Sequence, residues 1–401
     1  MGWLGLDDTD SLSGGCTTAA FHALLNGLPD GITHGMPRLV RLWPFAQRRT
    51  RGNAALAVEL NTVDESILFD HLDAWWKEHL EPLDGLVEES TLSDRKQTPA
   101  SPGMVFYHSS PPPEFYWDAV RREVRLDEVP PPDRAWGGYG RIGAAAAAAW
   151  PAHQPTWEAI AWRAGLNTDA ARSVDHDAVV EVDGWDEVVF SRDPRRGTNL
   201  IAPRGPSPVL FGVRATSFSA AERACIRVAQ APGTEEVADW RVFVTNQASG
   251  DHLPPSSMHE VVSIETHPVR KHARIYTEDH IINVYAEGGP VNALARWLVP
   301  GDVISVTGLL HPDGSLHAER MKVESWVARG RMRPLCAACN VRLKSMGSGQ
   351  GLRCPTCKER SEDAWMDIST KPPHVGWVEP PVDARRHLAR PLAWEELADD
   401  R

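Results

Sequence analysis

The sequence predicts a multidomain α+β protein. Three observations support this: two β-α-β patterns separated by a long proline-containing stretch, a run of short strands around residue 300, and two CxxC pairs near the C-terminus. At 401 residues the chain exceeds what a single core usually organises, so two to four domains are expected. Hydrophobic content of 42% and charged content of 24% match an ordinary globular protein. No apolar run reaches the roughly 18 residues that a membrane span needs. MGWLGL at the start lacks the charged head and long apolar run of a secretory leader. A cytoplasmic monomer with no membrane partner is therefore expected.

Taken in order, WLGL (3–6) reads as a strand running into DDTDSLSGG, and residues 16–28 read as a helix. NAALAVEL (53–60), ESILFDHLDAWWKEHL (65–80) and GMVFYH (103–108) alternate as strand, amphipathic helix and strand. The same pattern returns at SPVLFGVR (207–214), SAAERACIRVAQ (219–230) and WRVFVTN (240–246). Two β-α-β halves are the parts of a ferredoxin-like sandwich. One discontinuous domain is thus expected from 53–108 and 207–256, with 1–52 and 109–206 as a separate body. PPPE (111–114) and VPPPD (129–133) punctuate the intervening connection. Residues 257–327 offer EVVSIET, IINVYAEG, PVNALAR, DVISVTGLL and AERMKVESW as five short strands. They suggest a small barrel, an OB-fold or an SH3-like one. Residues 328–364 hold the cysteine pairs, and 365–401 read as an extended tail ending on a short acidic helix.

Cys336-x-x-Cys339 and Cys354-x-x-Cys357 lie fourteen residues apart. Each CxxC presents two thiolates on one knuckle, and two knuckles close a tetrahedral, structural zinc site. The alternative is a redox pair. Arg331, Arg333, Arg342 and Lys344 surround the knuckles and point towards nucleic acid. The net charge of -12 argues against an RNA partner only on average. Residues 36–53 carry five arginines and no acid, and residues 320–360 carry ten Lys/Arg against Glu324 and Glu359. Such zones could steer a polyanion, or they could be ordinary surface charge.

Asp7, Asp8 and Asp10 follow the first strand, and Gly14-Gly15-Cys16-Thr17-Thr18 opens the next helix. Clustered carboxylates suit magnesium, and a glycine-rich entry to a helix offers N–H groups to a phosphate. The loop lacks the lysine of a Walker A motif, and a capped Asp-rich turn would read alike. Arg48-Arg49-Thr50-Arg51-Gly52-Asn53 could clamp phosphate or form a solvated basic loop. Gly138-x-Gly140-x-x-Gly143 has dinucleotide-fold spacing, but no convincing strand precedes it. A helix start that packs closely, or that faces a phosphate, is the better reading. VTNQASGDHL (244–253) and DARRHLARPL (383–392, with Arg385 and Arg386) could contact RNA or be solvated polar turns.

Together GLDDTDSLSGGCTT, PRLVRLWP, RTRGNAA, GYGRIGAAAA, SPVLFGVR, VFVTNQASGDHL, the knuckles around GSGQGLRC, and ARRHLARPL resemble the archaeal tRNA-isoleucine 2-agmatinylcytidine synthetases along nearly the whole chain. The resemblance implies an atypical kinase-like domain (1–52 and 109–206) beside the ferredoxin-like domain, OB-fold and zinc ribbon. It implies ATP, Mg2+ and Zn2+ as cofactors, with agmatine and the isoleucine tRNA bearing a CAU anticodon as partners. Agmatine would be joined to C2 of the wobble cytidine after phosphorylation of its O2. By position, Asp7, Asp8 and Asp10 match the family's magnesium-binding motif, and Thr17 matches the threonine that members phosphorylate on themselves. ATP contacts are expected from Gly14, Gly15, Thr18, Arg51, Gly52, Asn53, Gly138, Gly140, Arg141 and Gly143. Gly15 and Arg49 replace the family's usual Met and Lys, and QTPASPG (97–103) is a looser version of its KTNPG segment. Two other readings compete: a kinase or nucleotidyl transferase acting on another substrate, and a non-catalytic RNA-binding protein.

Overall fold

The computed structural model describes residues 1–10, 15–49, 53–86, 98–165, 171–203, 207–362 and 365–399. Two compact units emerge: Met1–Pro254 with Leu309–Pro312 and Val382–Arg401, and Pro255–Gly308 with Asp313–Pro381. Among the described residues, no helix is long and apolar enough to cross a membrane.

In the first unit the elements are β1 (Gly2–Asp7), α1 (Thr17–Asn26), β2 (Thr33–His34), β3 (Arg38–Arg41), β4 (Ala54–Asn61), α2 (Glu65–Trp75), β5 (Gly103–Tyr107), α3 (Pro113–Arg121), β6 (Arg134–Gly137) and α4 (Arg141–Ala149). They continue with β7 (Thr156–Arg163), α5 (His176–Asp183), β8 (Val188–Val189), a small ladder of β9 (Arg192–Asp193) and β10 (Thr198–Asn199), then β11 (Val209–Ala215), α6 (Phe218–Ala229) and β12 (Val237–Thr245). One sheet runs through the described residues in the order β6-β5-β1-β4-β3-β12-β7-β11-β8, with β2 attached to β4.

This pairing departs from the expected division. β1 lies between β4 and β5, so residues 1–52 share a sheet with 53–108. β7 likewise lies between β11 and β12, which detaches it from the 1–52 body. The reason is that β1 and β7 are central strands buried on both faces, and a central strand recruits neighbours on both edges. Hydrophobic pattern locates such strands without saying what they pair with. The two halves join where β3 meets β12 in parallel, with Leu39 opposite Thr245.

Alternation along the strands separates two layers. Leu4, Leu6, Leu56 and Val58 face α1 and α2, where they meet Phe21, Leu24, Leu68 and Leu72. The opposite face of β4 is Ala55 and Ala57, against α4 and its alanines. Small residues there are required. A Cβ on Gly5 would stand 2.2 Å from the carbonyl oxygen of Ala144, so helix backbone rests on strand backbone. Arg38 stacks 3.8 Å over Trp3 and donates to the carbonyl of Trp150 at 2.7 Å, closing the C-terminal end of α4. The glycine-rich segment is preceded by a strand after all: β6 pairs with β5 in antiparallel fashion, which excludes a dinucleotide fold.

The second unit contains β13 (Ser257–Glu260), β14 (Ser263–Thr266), β15 (Ala273–Tyr276), β16 (Ile281–Val284), α7 (Pro290–Trp297), β17 (Val303–Leu310) and β18 (Leu316–Ser325). Its sheet runs β13-β17-β18-β16-β15-β14. PVNALAR, expected as a strand, is helix α7: proline occupies its first turn, and Val291, Leu294 and Ala295 are buried at helical spacing. Further along, Lys344–Ser345, Leu352–Arg353 and Arg360–Ser361 form a three-stranded ribbon. Gly330–Met332 pairs with Met366–Ile368. Residues 365–401 are therefore not simply a tail; they do end on a helix, α8 (Leu392–Asp399).

Candidate active site

β1 ends and α1 begins around a group of acids. Asp7 is half-buried at the strand end, and its Oδ1 accepts from the Asp8 N–H at 2.7 Å. Asp8 takes a left-handed backbone conformation (φ 60°), and its Oδ2 accepts from the Ser101 N–H at 3.1 Å. Thr17 donates to Asp10 Oδ1 at 3.2 Å and accepts from the Thr9 hydroxyl at 3.2 Å. Cys16 caps α1 without a side-chain bond to its N–H groups among the described residues.

Electrostatics set this loop apart. Desolvation, then the charge of Asp8, holds the Asp7 carboxyl well above the usual range. Desolvation and the neighbouring Asp10 push Asp8 up to about 7, against the Ser101 N–H and the Arg48 charge. Carboxylates that resist ionising together fit a site completed by a cation.

The acids open into a cleft of about 870 Å³ lined by Asp7, Asp8, Asn53, Tyr139, Gly140 and Gly143. The α4 segment forms its floor. A Cβ on Gly143 would fall 1.9 Å from Asp7 Oδ2, and one on Gly140 would fall 2.4 Å from the Asp7 carbonyl oxygen. Gly138 is held against Ser101, and Arg141 turns back to the Gly138 carbonyl at 3.2 Å. Asn53 (φ 41°) donates to the Trp43 carbonyl at 2.7 Å, fixing the loop that carries Arg48.

The cleft thus gathers Asp7, Asp8, Asn53, Gly140 and Gly143 from three separate motifs. Asp10 turns to Thr17, and Thr18 is buried, accepting from Trp162 Nε1 at 3.4 Å. Gly15 borders a smaller cavity with Thr9 and Cys16. Gly14, Arg51 and Gly52 lie outside the described residues. Sequence reasoning did not single out Tyr139, on which Arg48 stacks at 3.9 Å, or Arg122 and Arg125 on the wall after α3. Tyr139 sits inside GYGRIG and could have been found there, whereas Arg122 and Arg125 carry no motif.

The ribbon brings its four cysteines together. Cys336, Cys339, Cys354 and Cys357 place their sulfurs within 4.8 Å of one another. Thiolates around a tetrahedral zinc stand about 3.8 Å apart, given Zn–S bonds near 2.3 Å, so the donor set fits that ion. Desolvation works against ionisation of Cys354, but the N–H groups of Cys357 and Thr356 outweigh it and bring the thiol down to about 6.

Of the basic residues, Arg331 pairs with Asp367 at 3.3 Å and Arg333 lies 5.4 Å from the ring centroid of Trp365. Arg342 donates to the Arg333 carbonyl at 2.7 Å, and Lys344 is exposed on the ribbon. The two polar loops are not independent solvated turns: Ala248 and Gly250 N–H donate to the carbonyls of His387 and Leu388, both at 2.8 Å. Within that pairing, Arg386 stacks 4.8 Å over Phe45. Arg385 also belongs to this docked segment.

Three family models match the chain: the TiaS TCKD domain over residues 3–131, the TiaS FLD domain over 138–252 and the TiaS C-terminal zinc ribbon domain over 333–367. The first two are contiguous segments, as the strand pairing also divides the chain. The isoleucine-tRNA 2-agmatinylcytidine synthetase TiaS of Methanopyrus kandleri is 31% identical across 99% of this chain and 98% of its own. The protein of the same name from Archaeoglobus fulgidus is 28% identical across 97% and 96%. A crystal structure of TiaS in complex with its isoleucine tRNA and ATP superposes with a TM-score of 0.78 at 25% identity, covering 98% of this chain and 97% of that one.

Proposed function

Because the chain belongs to the isoleucine-tRNA 2-agmatinylcytidine synthetase family, we propose that it joins agmatine to C2 of the wobble cytidine of isoleucine tRNA with a CAU anticodon, using ATP. The observation that carries the reading is the full-length likeness combined with the acidic motif, whose Asp7 and Asp8 line a cleft of about 870 Å³ while Asp10 is held by Thr17.

A ring carbonyl oxygen leaves poorly, so the cytidine O2 first accepts a phosphoryl group from ATP. The agmatine amine then bonds to C2 as the C2–O bond breaks and phosphate departs. Asp7, Asp8 and Asp10 are the magnesium ligands in this reading, because the raised pKa values of Asp7 and Asp8 favour a site shared with a cation. Bound there, magnesium would neutralise charge on the transferring group, as such ions do alongside substrate phosphates. The protein's own part is positional. Thr17, the first residue of α1, donates to Asp10, and the α4 backbone seals the floor against Asp7. Gly140 and Gly143 permit that close approach, with Asn53 fixing the opposite wall.

The same reading takes the region matched by the TCKD model as kinase-like, that matched by the FLD model as ferredoxin-like, and β13–β18 with α7 as an OB-fold. The contiguous matches and the small six-stranded sheet support these assignments. Arg331, Arg333, Arg342, Lys344, Arg385 and Arg386 are the tRNA-binding residues of the reading, and the protein is taken to act as a cytoplasmic monomer. The test is incubation with ATP, agmatine and unmodified isoleucine tRNA transcript, followed by nucleoside mass spectrometry. The agmatine-bearing cytidine should form only when all three are present. Its absence, or the same product without agmatine, would overturn the proposal.

A further inference from the structure

Beside the cysteine ribbon, the strand that pairs with Gly330–Met332 is preceded by a tryptophan. Trp365 is 46% exposed and belongs to no apolar cluster among the described residues. Trp326, in the same unit, behaves differently. It packs against the core of the six-stranded sheet, and its Nε1–H donates to Ser369 at 2.8 Å. An indole offers a large apolar surface, which folding normally buries. A ring left half in water is available to a partner.

Its surroundings indicate what kind. Gly330–Met332 and Met366–Ile368 run antiparallel, with Arg331 directly opposite Asp367. Opposed residues share a face, and every second residue returns to it. One step beyond the ladder, Arg333 stands opposite Trp365, its guanidinium carbon 5.4 Å from the indole centroid. Arg331 and Arg333 therefore occupy the same face as the ring. Arg331 is 73% exposed in its pair with Asp367, so the guanidinium is weakly held. A third exposed arginine, Arg342, is tied to this strand by its bond to the Arg333 carbonyl at 2.7 Å. Across residues 328–368, eight Lys/Arg stand against four Asp/Glu, in a chain whose net charge is -12.

An open aromatic surface among guanidiniums is what single-stranded nucleic acid requires: the ring stacks on a base while the cations hold phosphates. A duplex keeps its bases covered, and an acidic peptide would engage the arginines without needing the indole. We propose that Trp365 is a stacking platform for an unpaired base of the tRNA, with Arg331, Arg333 and Arg342 on the neighbouring phosphates. This rests on the tRNA reading given above and deepens it, because it assigns nucleotides outside the helical stems to this face.

The test is filter binding by the full, zinc-loaded chain to three RNAs across a salt series. They are the unmodified isoleucine tRNA transcript, a single-stranded oligonucleotide, and a blunt duplex of the same length. Trp365→Leu keeps an apolar side chain but removes the π face. It should bind the tRNA and the single strand about tenfold more weakly, the size of one lost base stack. Its duplex affinity and its salt slope should match wild type, because no charge has been removed. Trp365→Phe should recover most of the loss, and metal analysis should find zinc in both variants. Undiminished tRNA binding by Trp365→Leu, an equal loss on the duplex, or no recovery in Trp365→Phe overturns the platform. Loss of zinc from Trp365→Leu would make the ring a structural part and overturns it equally. If the wild type bound no tRNA, the functional reading would fall as well; tight wild-type binding that Trp365→Leu leaves untouched removes the platform alone.

Discussion

At Asp8 the backbone and the side chain make separable demands. The left-handed φ of 60° suits Asn nearly as well as Asp, so Asp8→Asn should fold normally. Agmatine conjugation by that variant should fall at least about a hundredfold, the usual effect of losing one anionic partner of a transferring phosphoryl group. Single-turnover kinetics on purified, folded protein checks this, and full activity would reduce the loop to a capped turn. A pH prediction follows from the same side chain. Its pKa rises from 3.8 to about 7 on folding, so between these values the folded state holds a proton that the unfolded state has released. Stability from this group is present below the lower value and is lost as pH rises through the upper one. Metal-free protein should therefore lose melting temperature across that window, and Asp8→Asn should lose less. Added magnesium should stabilise the wild type most at the alkaline end. The three acids stood out in the sequence by residue type and spacing, with a capped turn as the alternative, and Thr17 stood out only through the family resemblance. Arg48 over Tyr139, and Arg122 and Arg125, were not, because the fold alone brings them to the cleft.

Among the elements, α4 shows how a motif can mislead about role while pointing to the right place. Its glycines have dinucleotide-fold spacing, yet they are there so that the helix backbone can rest on Asp7. Gly143→Ala puts a methyl carbon where Asp7 Oδ2 sits, and overpacking of this kind costs about 1–3 kcal/mol. Denaturant unfolding should register that loss, and turnover should fall with it because the carboxylate must move. Normal stability with normal turnover would mean that the helix can shift freely. Helix α7 was misread because PVNALAR is short and its β-branched and apolar residues suit either state; its buried positions at 291, 294 and 295 decide it. β1 and β7 were seen or passed over as isolated apolar runs. Pairing is a long-range choice, and nothing in a strand's own residues encodes it when both faces are buried.

For the molecule as a whole, the net charge of -12 conceals where RNA affinity should reside. Arg331 on the ribbon is exposed, and its partner Asp367 is exposed too, so this pair contributes little to stability and leaves the guanidinium available. Reversing Arg331 and Arg333 together should weaken tRNA binding and reduce its salt dependence by about one unit of slope for each phosphate no longer neutralised. Filter binding across a salt series reads both quantities, and an unchanged slope would remove the ribbon from the tRNA interface. Removing zinc with a chelator, or substituting Cys354→Ser, should unfold the ribbon and lower tRNA affinity. ATP binding at the cleft should be spared, since that cleft is built entirely within the first unit.

The alanine run of α4 also has a consequence for how this protein can vary. Ala144 to Ala148 are fully buried, Ala144 against the backbone of β1 at Gly5 and the run as a whole in a packed apolar cluster, so every replacement except glycine enlarges a side chain that has nowhere to go. Glycine instead costs the helix about 1 kcal/mol per position. Both directions of change are closed. A comprehensive substitution scan should therefore score this stretch as intolerant as the acidic loop, although these side chains line no part of the cleft. A biochemist ranking positions by such a scan alone would mistake a seam for a catalytic motif. Separating the two requires variants sorted by whether stability and turnover fall together, as at α4, or turnover falls alone, as at Asp8.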